Sequence, residues 1–176
     1  MNNTTLLAGL ALASAASVTG CAHRGAVTSH AVKGPRKATV DLWRPFPDAP
    51  KIFVEADLGD GKPRIFLVDT GASVSAVSTA TADELGLVVT DHPGQLVGLS
   101  GVVPWRNTRV DSVELGPFSV EGVDFAVGVP GVPLFAGVVE IAGILGNNVF
   151  SRFQVAIDYP ANVLELAQQG AMEIPS

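Results

Sequence analysis

The chain of 176 residues contains one cysteine, Cys21, and few aromatic residues. A single cysteine cannot form an internal disulfide, which excludes a scaffold held together by disulfide bonds. Charged residues make up only 16% of the sequence, and the net charge is -6. No cluster of lysine and arginine is present, which argues against a nucleic-acid partner. The histidines His23, His30 and His92 lack metal-ligand spacing, so we expect no metal and no other cofactor.

The sequence also lacks an apolar run long enough to cross a bilayer. The run Leu6–Val18 is short and rich in small residues, which is typical of a signal peptide, here residues 1–20. Val18–Cys21, "VTGC", resembles the bacterial lipobox, in which the cysteine is lipidated. An ordinary signal peptide beside a stray cysteine remains the alternative. The resemblance implies export to the cell envelope and a membrane anchor through Cys21.

The rest of the chain divides into three parts. Residues 21–48 are polar and carry glycine and proline, which indicates a tether and an entry segment. Residues 49–170 form one predicted domain, and residues 171–176 a C-terminal tail. The 19 glycines, 12 prolines and short apolar runs predict an all-β domain with one or two short helices.

Three local patterns support this fold class. A turn with the sequence "DGKP" separates the apolar runs Lys51–Leu58 and Arg64–Gly71, which predicts a hairpin. Thr81–Leu87, "TADELGL", predicts a short helix with Thr81 as its N-cap and Gly86 as its stop. Phe153–Ala167 alternates on both sides of "DYPAN", which predicts a second hairpin.

Two stretches carry a resemblance to a known family. Leu67–Ser73, "LVDTGAS", and Gly143–Phe150, "GILGNNVF", resemble the two signatures of retropepsin-like aspartic proteases, in the same order. The closest similarity is to bacterial single-domain members. The spacing exceeds that of retroviral enzymes and suggests an insertion near 128–142. The resemblance implies a retropepsin-like closed β-barrel, with a single domain that forms a two-fold dimer.

The resemblance implies that Asp69 is catalytic. Aspartic proteases bring two carboxylates about 3 Å apart so that they share one proton and activate a water molecule. The chain has one Asp-Thr-Gly, so Asp69 is at most half of such a site. The expected protein is therefore a homodimeric aspartic endopeptidase that acts on peptide or protein substrates.

The loop residues after Asp69 have implied roles as well. In the family, Thr70 forms a hydrogen bond across the pair of loops, and Gly71 lets its amide approach the carboxylates. Ala72 keeps the bend small, and Ser73 braces the outer carboxylate oxygen.

Two further elements complete the implied site. Leu145 and Gly146 are expected to pack behind the loop, whereas Asn147 departs from the arginine common in retroviral enzymes. A flap is expected at the hairpin tip formed by Gly98, Leu99, Ser100 and Gly101.

A second interpretation stays open. Asp-Thr-Gly also occurs in ordinary turns, and a fold can persist without its chemistry. The alternative is a catalytically silent lipoprotein that binds peptides or dimerises at the cell envelope.

Overall fold

The computed structural model describes residues 31–45, 51–98, 101–128 and 140–171. Cys21, Leu99, Ser100 and most of the predicted insertion lie outside these ranges. Among the described residues, no helix combines the length and the apolar character needed to cross a membrane.

In chain order the elements are β1 (Val32–Lys33), β2 (Lys37–Asp41), β3 (Phe53–Ala56), β4 (Arg64–Val68), β5 (Ser75–Val77), α1 (Thr79–Glu84), β6 (Thr90–Gly98), β7 (Gly101–Leu115), β8 (Phe118–Val127), β9 (Gly143–Leu145), α2 (Asn147–Phe150), β10 (Phe153–Asp158) and β11 (Val163–Gln168).

The strands of the described residues form two sheets. The larger follows the order β3-β4-β9-β5-β8-β7-β6, with β1 paired to β8. Strand β9 lies parallel to β4 and antiparallel to β5, and β5 lies parallel to β8. This arrangement inserts β9 between two strands that are close in sequence, so the Gly143–Leu145 motif lies beside the chain around Asp69. The prediction of a mostly β fold with two short helices is confirmed.

The core lies between the two sheets. Phe66, Phe118, Phe125 and Leu145 of the larger sheet are fully buried, as is Leu166 of the smaller sheet. Burial of each such side chain stabilises the fold by roughly 1.5–3 kcal/mol before the cost of ordering it. Packing against apolar side chains thus holds the smaller sheet on the larger one.

The smaller sheet has the order β10-β11-β2 and includes part of the predicted entry segment. Val40 and Leu42 are buried, whereas Lys37 and Asp41 of β2 are exposed. This alternation is that of a half-buried strand. Residues 37–41 of segment 21–48 are therefore built into the domain, because they supply a strand to β11.

Helix α1 begins earlier than the capping-box pattern predicts. Its N-cap is Ser78, whose Oγ accepts a hydrogen bond from the Thr81 amide at 3.1 Å. Thr81 is buried inside the helix, so its prediction as N-cap was wrong. Gly86 has a φ of +62° just after the helix, a conformation that suits glycine and confirms the predicted stop.

Ion pairs join the β3–β4 turn to α1. The buried guanidinium of Arg64 binds both carboxylate oxygens of Asp60 at 2.8 Å, and it lies 3.4 Å from Glu84. Lys62 pairs with the same Glu84. The hydrogen bonds from Arg64 lower the pKa of Asp60 well below its usual range, and those from Lys62 and Arg64 lower the pKa of Glu84.

We expect Asp60→Asn to weaken the dependence of stability on pH. A lowered folded-state pKa stabilises the fold above the ordinary carboxyl pKa. This stabilisation begins to decrease as the pH drops below that ordinary value, and it is lost as the pH falls through the lowered folded-state pKa. The urea midpoint of the wild type should therefore drop further than that of Asp60→Asn between about pH 6 and about pH 3. Asp83→Asn, an exposed change on α1, should follow the wild type. Equal slopes for wild type and Asp60→Asn would contradict the ion-pair account.

Candidate active site

Asp69 lies at the exit of β4, on a loop held by backbone hydrogen bonds. Its amide donates to the Leu145 carbonyl at 3.0 Å, which extends the parallel pairing of β4 with β9. The amides of Gly71 and Ala72 donate to Asp69 Oδ1 at 3.0 and 3.2 Å. The carboxylate is thus fixed through one oxygen, while the side chain remains half-buried at the surface of the single chain.

The next residues of the loop are open to the surface. Thr70, Gly71 and Ser73 are exposed, and Ala72 is half-buried. A Cβ on Gly71 would lie 3.2 Å from Asp69 Oδ1, so the close approach of this backbone to the carboxylate favours glycine. The predicted hydrogen bond of Thr70 involves a second copy of the loop and stays a prediction, as does that of Ser73 to the outer carboxylate oxygen.

Leu145 and Gly146 lie directly behind the Asp69 loop. Leu145 is fully buried, and a Cβ on Gly146 would meet the Ala72 carbonyl oxygen at 2.8 Å. The Asn147 amide donates to that same carbonyl at 2.7 Å. The start of α2 therefore contacts the Asp69 loop through backbone atoms, and an arginine at position 147 is not needed for this contact.

A polar clamp, formed by Ser75 and Asn148, was missed by the sequence interpretation. Asn148 Oδ1 accepts from the Ser75 amide at 2.8 Å and from its hydroxyl at 2.7 Å. Ser75 Oγ accepts from the Gly146 amide at 2.9 Å, and Asn148 Nδ2 donates to the Asp124 carbonyl at 2.8 Å. The clamp therefore ties the chain after the Asp69 loop to α2 and β8.

Gly143 is a further residue that the sequence interpretation did not single out. A Cβ at this position would lie 2.0 Å from the Ala76 carbonyl oxygen, closer than any side chain can be. Only glycine permits β9 to fit against β5 here. The local signal for this close approach was present in "GILG", where two glycines flank a short apolar run.

The predicted flap falls on the hairpin of β6 and β7. Gly98 stands opposite Gly101 in the antiparallel register, and Leu99 and Ser100 lie outside the described residues. Strand β7 continues to Leu115 and pairs with β8, which pairs in turn with β5 after the Asp69 loop. The role of this hairpin as a cover for Asp69 stays a prediction.

Comparisons with known proteins agree with this geometry. The profile of the family described as Aspartyl protease matches residues 54–149, more than half of the chain, and this range includes the first motif and all but the last residue of the second. The crystal structure of a retropepsin-like aspartic protease from Rickettsia conorii superposes with a TM-score of 0.54 at 20% identity, covering 79% of this chain and 95% of that one. This match confirms the predicted retropepsin-like fold.

Two further comparisons concern a viral protease structure and the curated protein sequences. EIAV protease in complex with the inhibitor HBY-793 gives a TM-score of 0.46 at 19% identity, covering 60% of this chain and 90% of that one. Among curated protein sequences, none matches this chain.

We expect Asn148→Ala to lower the free energy of unfolding by about 1–3 kcal/mol, because it leaves the buried Ser75 amide without its acceptor. The neighbouring Asn147→Ala is the matched control, since Asn147 is exposed and contacts the loop through its main chain. It should change stability by less than about 0.5 kcal/mol. Urea unfolding of the two variants measures both values, and equal losses would show that the clamp is not specific.

Proposed function

Because this chain belongs to the retropepsin-like aspartyl protease family, we propose that it is an aspartic endopeptidase whose active site forms between two copies of Asp69 in a homodimer. The observation that carries the proposal is the Asp69 loop. One carboxylate lies at the surface, held by two backbone amides and backed by the Gly146 motif. The sequence has only one Asp-Thr-Gly, so the second carboxylate comes from a second copy.

The chemistry requires the two carboxylates to share one proton. The ionised Asp69 takes a proton from a water molecule as the water oxygen attacks the peptide carbonyl carbon. The protonated Asp69 donates to the carbonyl oxygen, which stabilises the tetrahedral intermediate. Collapse of this intermediate breaks the C–N bond as the amide nitrogen receives the proton that the first Asp69 took from water, and a hydroxyl of the intermediate returns its proton to the second Asp69. Backbone donors orient each carboxylate, so no cofactor is required.

The strand register supports apolar side chains in the substrate. Leu67 pairs with Ile144, and Leu67 lies two residues before Asp69, so both share a face of the sheet with the carboxylate. Leu67 and Ile144 are half-buried in the single chain, unlike the fully buried Phe66 and Leu145 on the opposite face. We therefore propose that this pair contacts apolar side chains next to the cleaved bond.

The N-terminal sequence supports a location at the cell envelope. On this proposal the signal peptide directs export, Cys21 is lipidated, and residues 22–30 separate the anchor from β1. The protease would then act on peptides or proteins near the membrane surface. "VTGC" is the feature that favours this location.

We expect Asp69→Asn to abolish peptide cleavage, because an amide can neither take a proton from water nor share one. Purified protein would be offered a diverse peptide library, with and without a pepstatin-like inhibitor, and Asp83→Asn would serve as a control outside the site. Cleavage that survives Asp69→Asn would refute the mechanism. A folded wild type that binds peptides without cleaving them would favour the silent binding module.

Mixing wild type with Asp69→Asn tests the shared site. If subunits exchange at random, an equal amount of the variant should halve the activity of a fixed amount of wild type, because about half of the wild-type chains then sit in mixed dimers. Asp83→Asn added in the same way should not reduce activity. An independent site in each chain would leave wild-type activity unchanged by either variant.

We expect the mature protein to begin at a diacylated Cys21. Intact-mass analysis of protein from a bacterial membrane fraction measures this directly. Cys21→Ser should lose the lipid mass and leave the membrane fraction. A mature wild type with an unmodified Cys21 would contradict the anchor without affecting the catalytic proposal.

A further inference from the structure

A groove of about 780 Å³ lies between β2 and the β3–β4 hairpin, and the residues of the Asp69 loop do not line it. The indole of Trp43 lines this groove and is 38% exposed, although it packs on Phe53 with ring centroids 5.6 Å apart. Among the lining residues that the structure describes, none is lysine or arginine. Every charged one is acidic: Asp41, Glu55, Asp57 and Glu114.

The strand register explains why these side chains meet. Trp43 forms an antiparallel bridge with Phe53, and Glu55 pairs with Ile65 two residues further along β3. Facing residues of paired strands and alternate residues of one strand lie on the same face of a sheet. Asp41, two residues before Trp43, therefore falls on the face that carries Glu55. The groove is one face of the sheet, on which two acids lie beside an indole.

Two of the four acids already have partners within the chain. Backbone amides donate to Asp57 Oδ1 at 2.8 and 3.0 Å, and the Ser119 hydroxyl donates to Glu114 Oε1 at 2.8 Å. Asp41 and Glu55 are exposed, and neither forms an ion pair with another described residue. Like charges on neighbouring strands repel each other, so a cation between these two carboxylates would be bound favourably.

The lining favours an extended cationic chain over a metal ion. In the part of the chain that the structure describes, no group of three acidic, histidine or cysteine side chains is arranged to hold a metal. An extended polypeptide with lysine or arginine can reach carboxylates that are too far apart to bind one ion. The face of an indole also attracts such cations, and its ring packs on their aliphatic stems.

The groove continues the sheet face that carries Asp69. Ile65, Leu67 and Asp69 are alternate residues, so their side chains leave the same face, and Ile65 lies about 13 Å before Asp69 along the strand. Leu67 belongs to the pair that we propose to contact the substrate next to the cleaved bond. An extended peptide spans about 13 Å with about four residues. A substrate held at Asp69 is therefore long enough to reach the groove.

We propose that the groove between β2 and the β3–β4 hairpin binds a basic segment of the polypeptide substrate, about four or more residues from the cleaved bond. Asp41 and Glu55 pair with lysine or arginine side chains of that segment, and Trp43 packs against their stems. The inference rests on the proposed function, because it adds a second feature to the substrate. The preferred substrate is then apolar at the cleaved bond and basic at a distance from it.

Peptide binding to the Asp69→Asn protein tests the groove without catalysis. The probes are a fluorescently labelled peptide with an apolar centre and Lys-Lys at each end, and its twin with Gln-Gln at each end. In anisotropy titrations, Asp41→Asn/Glu55→Gln should weaken binding of the Lys-Lys peptide about fivefold and leave the Gln-Gln peptide unchanged. Asp83→Asn/Asp111→Asn removes two exposed carboxylates elsewhere and should change neither. Equal affinities of the parent and the groove variant for the Lys-Lys peptide would overturn the inference.

Two further measurements sharpen this binding test. Affinity for the Lys-Lys peptide should fall as the salt concentration rises, because exposed ion pairs are screened. Urea unfolding checks that the groove variant is folded. Arg24→Ala should not change the affinity. Tighter peptide binding after Arg24→Ala would overturn the inference, because it would assign the groove to the chain's own N-terminal segment.

Cleavage kinetics separate this inference from the proposed function. For a cleaved peptide extended by Lys-Lys at both ends, Asp41→Asn/Glu55→Gln should raise KM about fivefold and leave kcat unchanged, since the groove is remote from the reacting bond. Groove-dependent binding of the Lys-Lys peptide by a wild type that cleaves nothing would refute the proposed function and leave a site for basic peptides. Asp69-dependent cleavage with the same KM in wild type and groove variant would refute the groove alone.

Discussion

The contact between the Asp69 loop and the start of α2 is the interaction on which the rest of the site depends. It is made by backbone atoms, with the Asn147 amide 2.7 Å from the Ala72 carbonyl, and it has room for no side chain at Gly146. Strand β9 can reach this position because it enters the sheet between β4 and β5. The carboxylate orientation is therefore set by main-chain packing, which tolerates much less variation than a contact between flexible side chains.

A single loop of this kind creates a constraint on assembly. One carboxylate cannot share a proton with itself, so the chemistry of the family requires a second Asp69 from another chain. On the proposed function, the loop is exposed in a single chain because it meets a second copy, whereas its supports, Ser75 and Leu145, are fully buried. On the same proposal, the rigid part of the site belongs to one chain and its reactive part is formed by two chains.

The sequence predicted the adjacency of the two motifs better than it predicted the borders of the fold. The motifs that contain Asp69, Leu145 and Gly146 were found because they are short and local, and the predicted hairpin Phe153–Ala167 followed from simple alternation. Strand β2 was assigned to an entry segment, because its pairing with β11 links residues more than a hundred positions apart. The Asn148 clamp was missed for the same reason, since a hydrogen bond to Ser75 leaves no mark on local periodicity.

The proposed sharing of the active site between two chains connects dimer assembly to the location of the protein. Strand β2 completes the small sheet within each chain, so a dissociated copy keeps its core and loses only its partner. The fraction of paired copies then depends on concentration. If Cys21 is lipidated as proposed, copies confined to one membrane surface meet at a higher effective concentration than free copies in solution. On the proposed function, the density of the protein at that surface determines how many Asp69 pairs form. Membrane anchoring would then regulate the amount of active enzyme.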